Sequence, residues 1–520
     1  MKVALLLAPG NLRRWHVDLA DRLIADGHAV ALRFDAQAPV LPYAVGFLEQ
    51  FEAILTRRGA SGPSDRIDDA RADDLRPTGF ETEADVTIDL SGAAEIAAGV
   101  TLAILFDGAP GDAALTAALL ERRLPVVSIV AVGADALAIF EEGRPALERP
   151  DVFLVGRDAV CGRLPGLVRR TIERIGQGAA PARTVVRAGG ALAGTHPARF
   201  MFESIAAAAS RKLKRLLVHD DHWRIGIRRL ASPADGVLDR LAWPANGYHW
   251  LADDRRRYYA DPFLFRDGGT TWLFCEEYPY ATRKGILSVA RVDADGIPET
   301  PRPILETETH LSYPFVFRHA GAIYMMPESS GAKTLELWRA IAFPDRWERV
   351  ATLVSGVSLA DATLFAHAGR FWITAAIQEP STSSWDALMV YVADDPLGPW
   401  RPASSEPLLI DASSVRPAGH VVERDGVLYR PAQDCRDGYG AALTLARIDA
   451  IGEGRFEQTI VKRLDPPPGG PPWGVHTLNA LDDLEVIDAT GPMPRYGALG
   501  TVGAGAGGIA AASGLALTLL

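Results

Sequence analysis

Asp261-Pro262-Phe263-Leu264-Phe265, with Gly269 and Trp272 behind it, is the stretch that decides the fold, because its spacing recurs. Tyr313-Pro314-Phe315-Val316-Phe317 leads to Gly321 and Tyr324, and Asp361-Ala362-Thr363-Leu364-Phe365 leads to Gly369 and Trp372. Ala418-Gly419-His420-Val421-Val422 leads to Gly426 and Tyr429. In all four the glycine lies 8 residues and the aromatic 11 residues beyond the first position. His476-Thr477-Leu478-Asn479-Ala480 opens a fifth unit, and the units start 52, 48, 57 and 58 residues apart. Each reads as a strand, a glycine turn and a second apolar strand. Third strands are expected over 286–292, 335–340, 388–393 and 443–448, and fourth strands over 303–306, 350–354, 408–411 and 458–462. Four short strands per unit at this spacing predict an all-β five-bladed β-propeller over residues 223–490. The fifth unit runs out after 486–488, so its missing strands are expected from 223–227 or 247–251, which would remove an open sheet edge.

The innermost strand of each blade faces the axis, which places Asp261, Tyr313, Asp361, Ala418 and His476 near one another. Carboxylates crowded together lose solvation and repel, so their presence asks for a cation, a partner or a function. Cleaving a glycosidic bond takes two carboxyl groups flanking the sugar. Asp261 is the candidate base or nucleophile, with Asp361 as its partner. Glu277, Glu328 and Asp434, at the ends of second strands, are candidates for the acid or for substrate contact, and Glu276 is expected to point the other way. Arg416 and His420 suit a phosphate or carboxylate, which an arginine grips through two parallel hydrogen bonds. Tyr313 and Trp473 are the expected sugar platforms.

The first half alternates strands and helices. Apolar runs at 3–8, 29–34, 86–90, 102–106, 126–132 and 152–155 read as strands, and 11–26, 113–123 and 164–175 as helices. This order predicts an α/β domain over 1–180 with a parallel sheet covered on both faces. The first strand-to-helix turn of this half, Ala8-Pro9-Gly10-Asn11, is not G-x-G-x-x-G, and no G-x-x-x-x-G-K-[ST] occurs in it, so neither nucleotide-binding fingerprint is found there. Residues 181–222 read as a linker carrying a helix over 201–217, and His219-Asp220-Asp221-His222 as a solvated turn.

Net charge is −11, from 54 Lys+Arg against 65 Asp+Glu, which argues against a nucleic-acid partner. Three cysteines make no disulfide framework, and the compartment is expected to be reducing and cytoplasmic. The start of the chain lacks the small-residue cleavage site of a secretory signal. Arg495 is the last charge, and residues 496–520 are uncharged with 7 glycines among 25, which reads as a mobile tail with membrane contact as the lesser alternative.

Two sets of motifs in the second half carry resemblances. Ala260-Asp261-Pro262-Phe263 and Asp361-Ala362-Thr363-Leu364-Phe365 resemble the blade signatures of five-bladed glycosidases, the arabinanase, levansucrase and invertase group that includes glycoside hydrolase family 43. The resemblance implies Asp261 as general base, Asp361 as the residue that tunes and orients the acid, and His476 beside an axial ion. With carboxylates around it, that ion would be hard and calcium-like. The family's acid is a Glu opening blade four, whereas this chain has Val415-Arg416-Pro417-Ala418-Gly419-His420 there. Cys275-Glu276-Glu277, Ser312-Tyr313-Pro314-Phe315, Met326-Pro327-Glu328-Ser329 and Leu337-Trp338-Arg339-Ala340 resemble the N-terminal propeller of glucosamine inositolphosphorylceramide transferases. So do Arg416-Pro417-Ala418-Gly419, Arg430-Pro431-Ala432-Gln433-Asp434-Cys435 and His476-Thr477-Leu478-Asn479. In the first half, Val86-Thr87-Ile88-Asp89-Leu90-Ser91-Gly92 is similar to a strand and turn of formyltransferase N-terminal domains, without their catalytic constellation. Together these imply a glycan, glycoconjugate or phosphosugar partner. Three readings stay open: a carbohydrate-active enzyme (hydrolase, phosphorylase or transferase), a non-catalytic glycan-binding module, and an assembly protein of polysaccharide synthesis.

Overall fold

The computed structural model describes residues 1–34, 43–56, 62–67, 84–92, 100–133, 136–186, 196–244 and 247–495. The tail expected over 496–520 lies outside them. The first half contains β1 (Lys2–Leu6), α1 (Arg14–Ala25), β2 (Ala29–Arg33), α2 (Tyr43–Leu55), β3 (Val86–Asp89), β4 (Val100–Phe106), β5 (Ala109–Pro110) and α3 (Gly111–Leu120). After these come β6 (Val127–Val132), β7 (Ala136–Gly143), α4 (Phe153–Gly176), β8 (Arg183–Val186) and α5 (Pro197–Leu217).

The sheet order is β2-β1-β3-β4-β6-β7-β8, with β5 paired to β4. The α/β expectation holds, and the sheet is mixed. The ladders among β2, β1, β3 and β4 are parallel, whereas β6, β7 and β8 add on antiparallel. Residues 152–155 do not form the expected strand, because α4 starts there. The Glu52 carboxylate accepts the Phe153 and Leu154 amides at 2.9 Å each, satisfying two of the orphan donors of that helix. A four-residue apolar run looks the same in a buried helix as in a strand, and here the cap decides.

The second half forms five sheets of four or five strands. The first is β11 (Arg257–Asp267), β12 (Thr270–Pro279), β13 (Ile286–Val292) and β14 (Arg302–Leu305), reached after β9 (Val218–Arg229) and β10 (His249–Trp250). The second is β15 (Ser312–His319), β16 (Ala322–Ser329), β17 (Thr334–Ala342) and β18 (Arg346–Ser355). The third joins β19 (Ser358–His367), β20 (Arg370–Gln378), β21 (Ala387–Ala393), β22 (Arg401–Pro402) and β23 (Leu409–Ile410). The fourth holds β24 (Val422–Arg424), β25 (Val427–Asp434), β26 (Ala442–Gly452) and β27 (Arg455–Leu464). The fifth closes the ring in the order β10-β9-β29-β28, with β28 (Gly474–Leu481) and β29 (Leu484–Pro494) from the end of the propeller half and β9 and β10 from its start. Both expected segments supply the closure. The 219–222 cluster is therefore not a turn: it lies in β9, where His222 Nε2 sits 2.8 Å from Asp253 Oδ2.

The two halves are joined by buried charge. Arg163 of α4, 1% exposed at its side chain, donates to Asp386 Oδ1 at 2.8 Å, to Glu379 Oε2 at 2.7 Å and to the Ser383 carbonyl at 2.6 Å. Asp386 also accepts the Ala146 amide at 2.7 Å. Arg144 exchanges backbone bonds with Ile410 and Ala412 at 2.9 Å each. The α/β half thus grips the loop between β20 and β21 and the segment that leads into Arg416.

Candidate active site

Four inner strands carry an irregular register at the same place, between Ala260 and Phe263, Ser312 and Phe315, Ala360 and Thr363, and Val475 and Leu478. In the first three, the repeat's first residue takes a left-handed backbone, with φ of +51° at Asp261, +46° at Tyr313 and +54° at Asp361. Such a bulge re-aims one side chain out of the ladder, here toward the axis. Left-handed backbone at non-glycine residues costs about 1–3 kcal/mol each and clusters at functional sites.

The axis is a network of buried carboxylates and their donors. Asp261 Oδ2 accepts the Tyr313 amide at 2.9 Å, and the Asp261 amide donates to Asp488 Oδ2 at 2.8 Å. His476 Nδ1 lies 2.9 Å from Asp261 Oδ1, and Tyr439 Oη lies 2.6 Å from His476 Nε2. The Asp361 amide donates to Glu328 Oε2 at 3.0 Å. Arg416 Nε donates to Asp361 Oδ2 at 2.5 Å and Arg416 Nη2 lies 3.8 Å from Glu328 Oε2, while its guanidinium stands 4.8 Å over the Tyr439 ring. Gln433 Nε2 completes Asp361 at 3.0 Å. Trp223 and Trp385 pack on Tyr439 with centroids 6.1 and 5.9 Å away, making an aromatic rim. Tyr439 is 37% exposed, which opens this rim to solvent.

These contacts sort the carboxyl groups. Burial pushes Asp261 up, but the His476 ring and the Tyr313 amide outweigh it and hold its carboxyl below the usual range. Burial works against a charged His476, yet Asp261, Asp488 and Asp361 raise it to about 9. Burial also lifts Asp361 to about 7 against the pull of Arg416. Glu276 is raised well above an ordinary glutamate by burial and then by Asp261, Glu328, Asp488 and Asp361. Its carboxyl lies 3.4 Å from His310 Nε2 and 3.5 Å from Tyr258 Oη. The site therefore sets a carboxyl held below the usual range, Asp261, beside one pushed well above it, Glu276. Two environments that push such values apart are the mark of an acid and base pair.

Asp261, Asp361, Glu328, Arg416 and His476 meet as the sequence implied. Glu277 does not join them: it accepts from Ser288 Oγ at 2.7 Å and is paired with Arg257, on the strand face opposite Glu276. Asp434 is held by Arg436 and Arg463, each at 2.7 Å, and its neighbour Gln433 faces the axis instead. The position four residues past each second-strand aromatic is the one that counts: Glu276, Glu328, Ala376 and Gln433. Counting five past Trp272 and Tyr429 gives the wrong face. Tyr313 is fully buried, its hydroxyl 2.9 Å from Thr363 Oγ1 and accepting the Gly419 amide at 2.6 Å, so it plugs the axis and is no sugar platform. Gly419 makes that bond feasible, because a Cβ there would lie 2.1 Å from the Leu478 carbonyl oxygen. His420 is locked to Asn479 Oδ1 at 2.7 Å and packed between Phe263 and Phe315. Trp473 lies under Lys214 Nζ at 3.9 Å. Glu276, Gln433, Tyr439, Asp488, Trp223 and Trp385 are the site residues that sequence reasoning missed. Of these, Glu276 and Gln433 could have been found from the constant step of four.

A raised carboxyl has a linkage consequence. Between the unfolded value near 4.5 and the higher folded value of Glu276, the folded chain binds more protons, so stability falls as pH rises. Glu276→Gln removes that slope. The melting temperature of the variant relative to the parent is expected to climb from pH 5 to pH 8, measured by circular dichroism; a pH-independent difference would show that Glu276 is ordinary.

Residues 252–465 match the family model of glucosamine inositolphosphorylceramide transferase 1, N-terminal. Glucosamine inositolphosphorylceramide transferase 1 of Arabidopsis thaliana is 32% identical over 208 residues, 39% of this chain and 27% of that protein. The protein of the same name from Oryza sativa subsp. japonica is 30% identical over 316 residues, 56% of this chain and 42% of that protein. The chain thus spans less than half the length of these curated relatives. Among solved structures, a GH43 β-xylosidase/α-arabinofuranosidase from a compost microbial metagenome is similar at 13% identity and a TM-score of 0.34, over 47% of this chain and 93% of that one. An exo-1,5-α-L-arabinanase from a bovine ruminal metagenomic library is similar at 14% identity and a TM-score of 0.32, over 47% of this chain and all of that one. The propeller is therefore the part of this chain that the transferase family model matches, over the whole of its first four blades.

Proposed function

We propose that this protein transfers a glycosyl group of a glycan or glycoconjugate in the propeller axis, with Asp261 as base or nucleophile and Glu276 as the acid. The observation that carries this is the convergence of Asp261, Glu276, Glu328 and Asp361 on one buried axis beside a solvent-facing aromatic rim. With Asp261 as base, Glu276 gives its proton to the leaving oxygen, Asp261 takes the proton of the incoming hydroxyl, and the two carboxyls return to their starting states by exchange with solvent. With Asp261 as nucleophile, Glu276 protonates the leaving oxygen as Asp261 bonds the anomeric carbon, and the Glu276 carboxylate then takes the proton of the incoming hydroxyl as that oxygen displaces Asp261. Glu328 and Asp361 hold Arg416 against the Tyr439 ring. Arg416 is thereby committed to two carboxylates, and it orients the rim more than it receives a phosphate. Tyr439 and Trp385 offer the accessible aromatic surface for a sugar ring, with Trp223, 6% exposed, packed behind Tyr439. The name of the matched family supports a sugar on a lipid-linked acceptor as the substrate class. The chemistry is tested with a panel of aryl glycosides, sugar phosphates and nucleotide sugars, each with and without an inositol-phosphate acceptor. Turnover of any of them that is lost in Glu276→Gln supports the reading. Saturable binding of a glycan with no turnover anywhere in the panel would instead make the channel a binding module.

A divalent cation on the axis is part of the proposal. One atom each of Asp261, His476 and Asp488 lie within 4.8 Å of one another, a set of two carboxylates and one imidazole. A calcium-like ion would need further oxygens from water. Chelation is expected to lower the melting temperature by several degrees and added calcium to restore it; an unchanged melt leaves the His476 imidazolium as the counter-charge.

A further inference from the structure

Helix α5 is amphipathic in the wrong sense for a helix docked on a core. At 3.6 residues per turn, Phe202, Ile205, Ala206, Ala209, Leu213, Leu216 and Leu217 fall within an arc of about 120°. That arc faces solvent: Phe202 is 74% exposed, Leu213 60%, Leu216 59% and Leu217 55%. The opposite face holds the helix to the protein. Phe200 is buried against Phe153 with centroids 6.5 Å apart, and Arg211 Nη2 donates to Asp151 Oδ2 at 2.5 Å.

Helix α2 packs against α5 and repeats the pattern. Tyr43, Phe47 and Ile54 share one stripe and are 92%, 55% and 79% exposed, while Val45, Leu48 and Glu52 point inward. Two neighbouring helices thus each turn an apolar stripe to solvent, with two aromatics on α2 and a third on α5. Single exposed apolar residues are ordinary, but a contiguous patch marks a binding surface.

Charge decides the partner. The protein as a whole carries −11, whereas α5 contains five basic residues, Arg199, Arg211, Lys212, Lys214 and Arg215, against the single acid Glu203. Four of the five lie in its C-terminal half; of these Arg211 is held by Asp151 on the inner face, while Lys212 and Lys214 flank the apolar arc on either side, Lys214 above the Trp473 ring. Apolar stripe, basic flanks and an outward face describe a helix that lies in the interface of an anionic lipid surface. A second copy of this chain would bring like-charged helices together. Arg495, the last charged residue of the chain, ties its amide to the Leu217 carbonyl at 2.9 Å and its Nε to Val218 at 3.1 Å.

We infer that α5 and α2 form a docking face for an anionic membrane surface. The inference stands independently of the chemistry in the propeller. It is tested with the full chain by flotation on vesicles of phosphatidylcholine with about 30% phosphatidylglycerol, and on vesicles of phosphatidylcholine alone. The parent chain is expected to float with the anionic vesicles, more weakly with the neutral ones, and to be released by about 0.5 M salt. Leu213→Ser with Leu216→Ser should weaken binding about tenfold or more, and Phe47→Ser should add to the loss. All three side chains are exposed, so an unchanged melting temperature is expected and confirms folding. A chain ending at Arg495 should retain binding that depends on Leu213 and Leu216. Failure of the parent chain to float on either vesicle overturns the inference, as does flotation unaffected by the serine variants. Light scattering that shows a dimer dissolved by those variants, without lipid binding, assigns the face to a second copy instead.

Discussion

Arg163→Ala is expected to cost the fold about 3–5 kcal/mol, the range for breaking one side of a buried ion pair. The side chains of Arg163 and Asp386 are 1% and 0% exposed. Removing the guanidinium leaves Asp386 charged and buried, with the Ala146 amide as its remaining donor among the described residues. Burial already raises the Asp386 carboxyl against the pull of Arg163, so its loss would push the group further toward the protonated form. Arg163→Ala with Asp386→Asn should recover part of the loss, because the uncompensated charge is gone. The pair also has a remote consequence. Two residues before Asp386 stands Ser384, whose Oγ accepts Arg416 Nη1 at 2.9 Å, and one residue before it stands Trp385 of the aromatic rim. Loosening the loop from α4 should therefore disturb the site as well as stability. Urea unfolding of the two variants measures the first effect, and ligand binding in the axis measures the second. A destabilisation below about 1 kcal/mol would mean that the two halves are held by their backbone and apolar contacts.

How much of this was legible in the sequence follows from the range of each signal. The glycine turn and the aromatic of each blade are local to one hairpin, so the steps of 8 and 11 residues exposed all four strand pairs that carry them. Closure by β9 and β10 was legible because a fifth unit with too few strands must find the rest elsewhere. The antiparallel strands β7 and β8 were not legible, since β7 has no strict alternation and β8 is only four residues long. At the site, axial position follows from blade geometry, so Asp261, Asp361 and His476 could be named together. The choice between Glu276 and Glu277 rests on the parity of one strand, and a single miscounted residue moves a side chain to the other face. Arg416 shows a different limit. Its residue type suits a phosphate, but the side chain's occupation by Asp361 and Glu328 is a fact of the folded axis. Tyr439 lies in a loop outside the repeat and follows no period at all.

Asp261→Asn is expected to abolish most turnover of a substrate identified in the panel, by about 10²–10⁴-fold, the contribution of a placed proton-transfer group. Asparagine keeps the shape and can still accept the Tyr313 amide bond that Asp261 Oδ2 receives at 2.9 Å. It removes the charge that faces His476 at 2.9 Å and that helps hold the Glu276 carboxyl above its usual range. Two readouts therefore move together. The rate falls because the base is gone, and the pH limb that reports the acid shifts down because one neighbouring negative charge is gone. Glu277→Gln is the matched control, since it alters a buried carboxylate of the same strand that faces Arg257 and Ser288. It is expected to leave both the rate and the acid limb in place. A variant at Asp261 with full activity would move the reaction out of the axis. A variant at Asp261 that loses activity without shifting the acid limb would leave the base in place and take the acid role from Glu276.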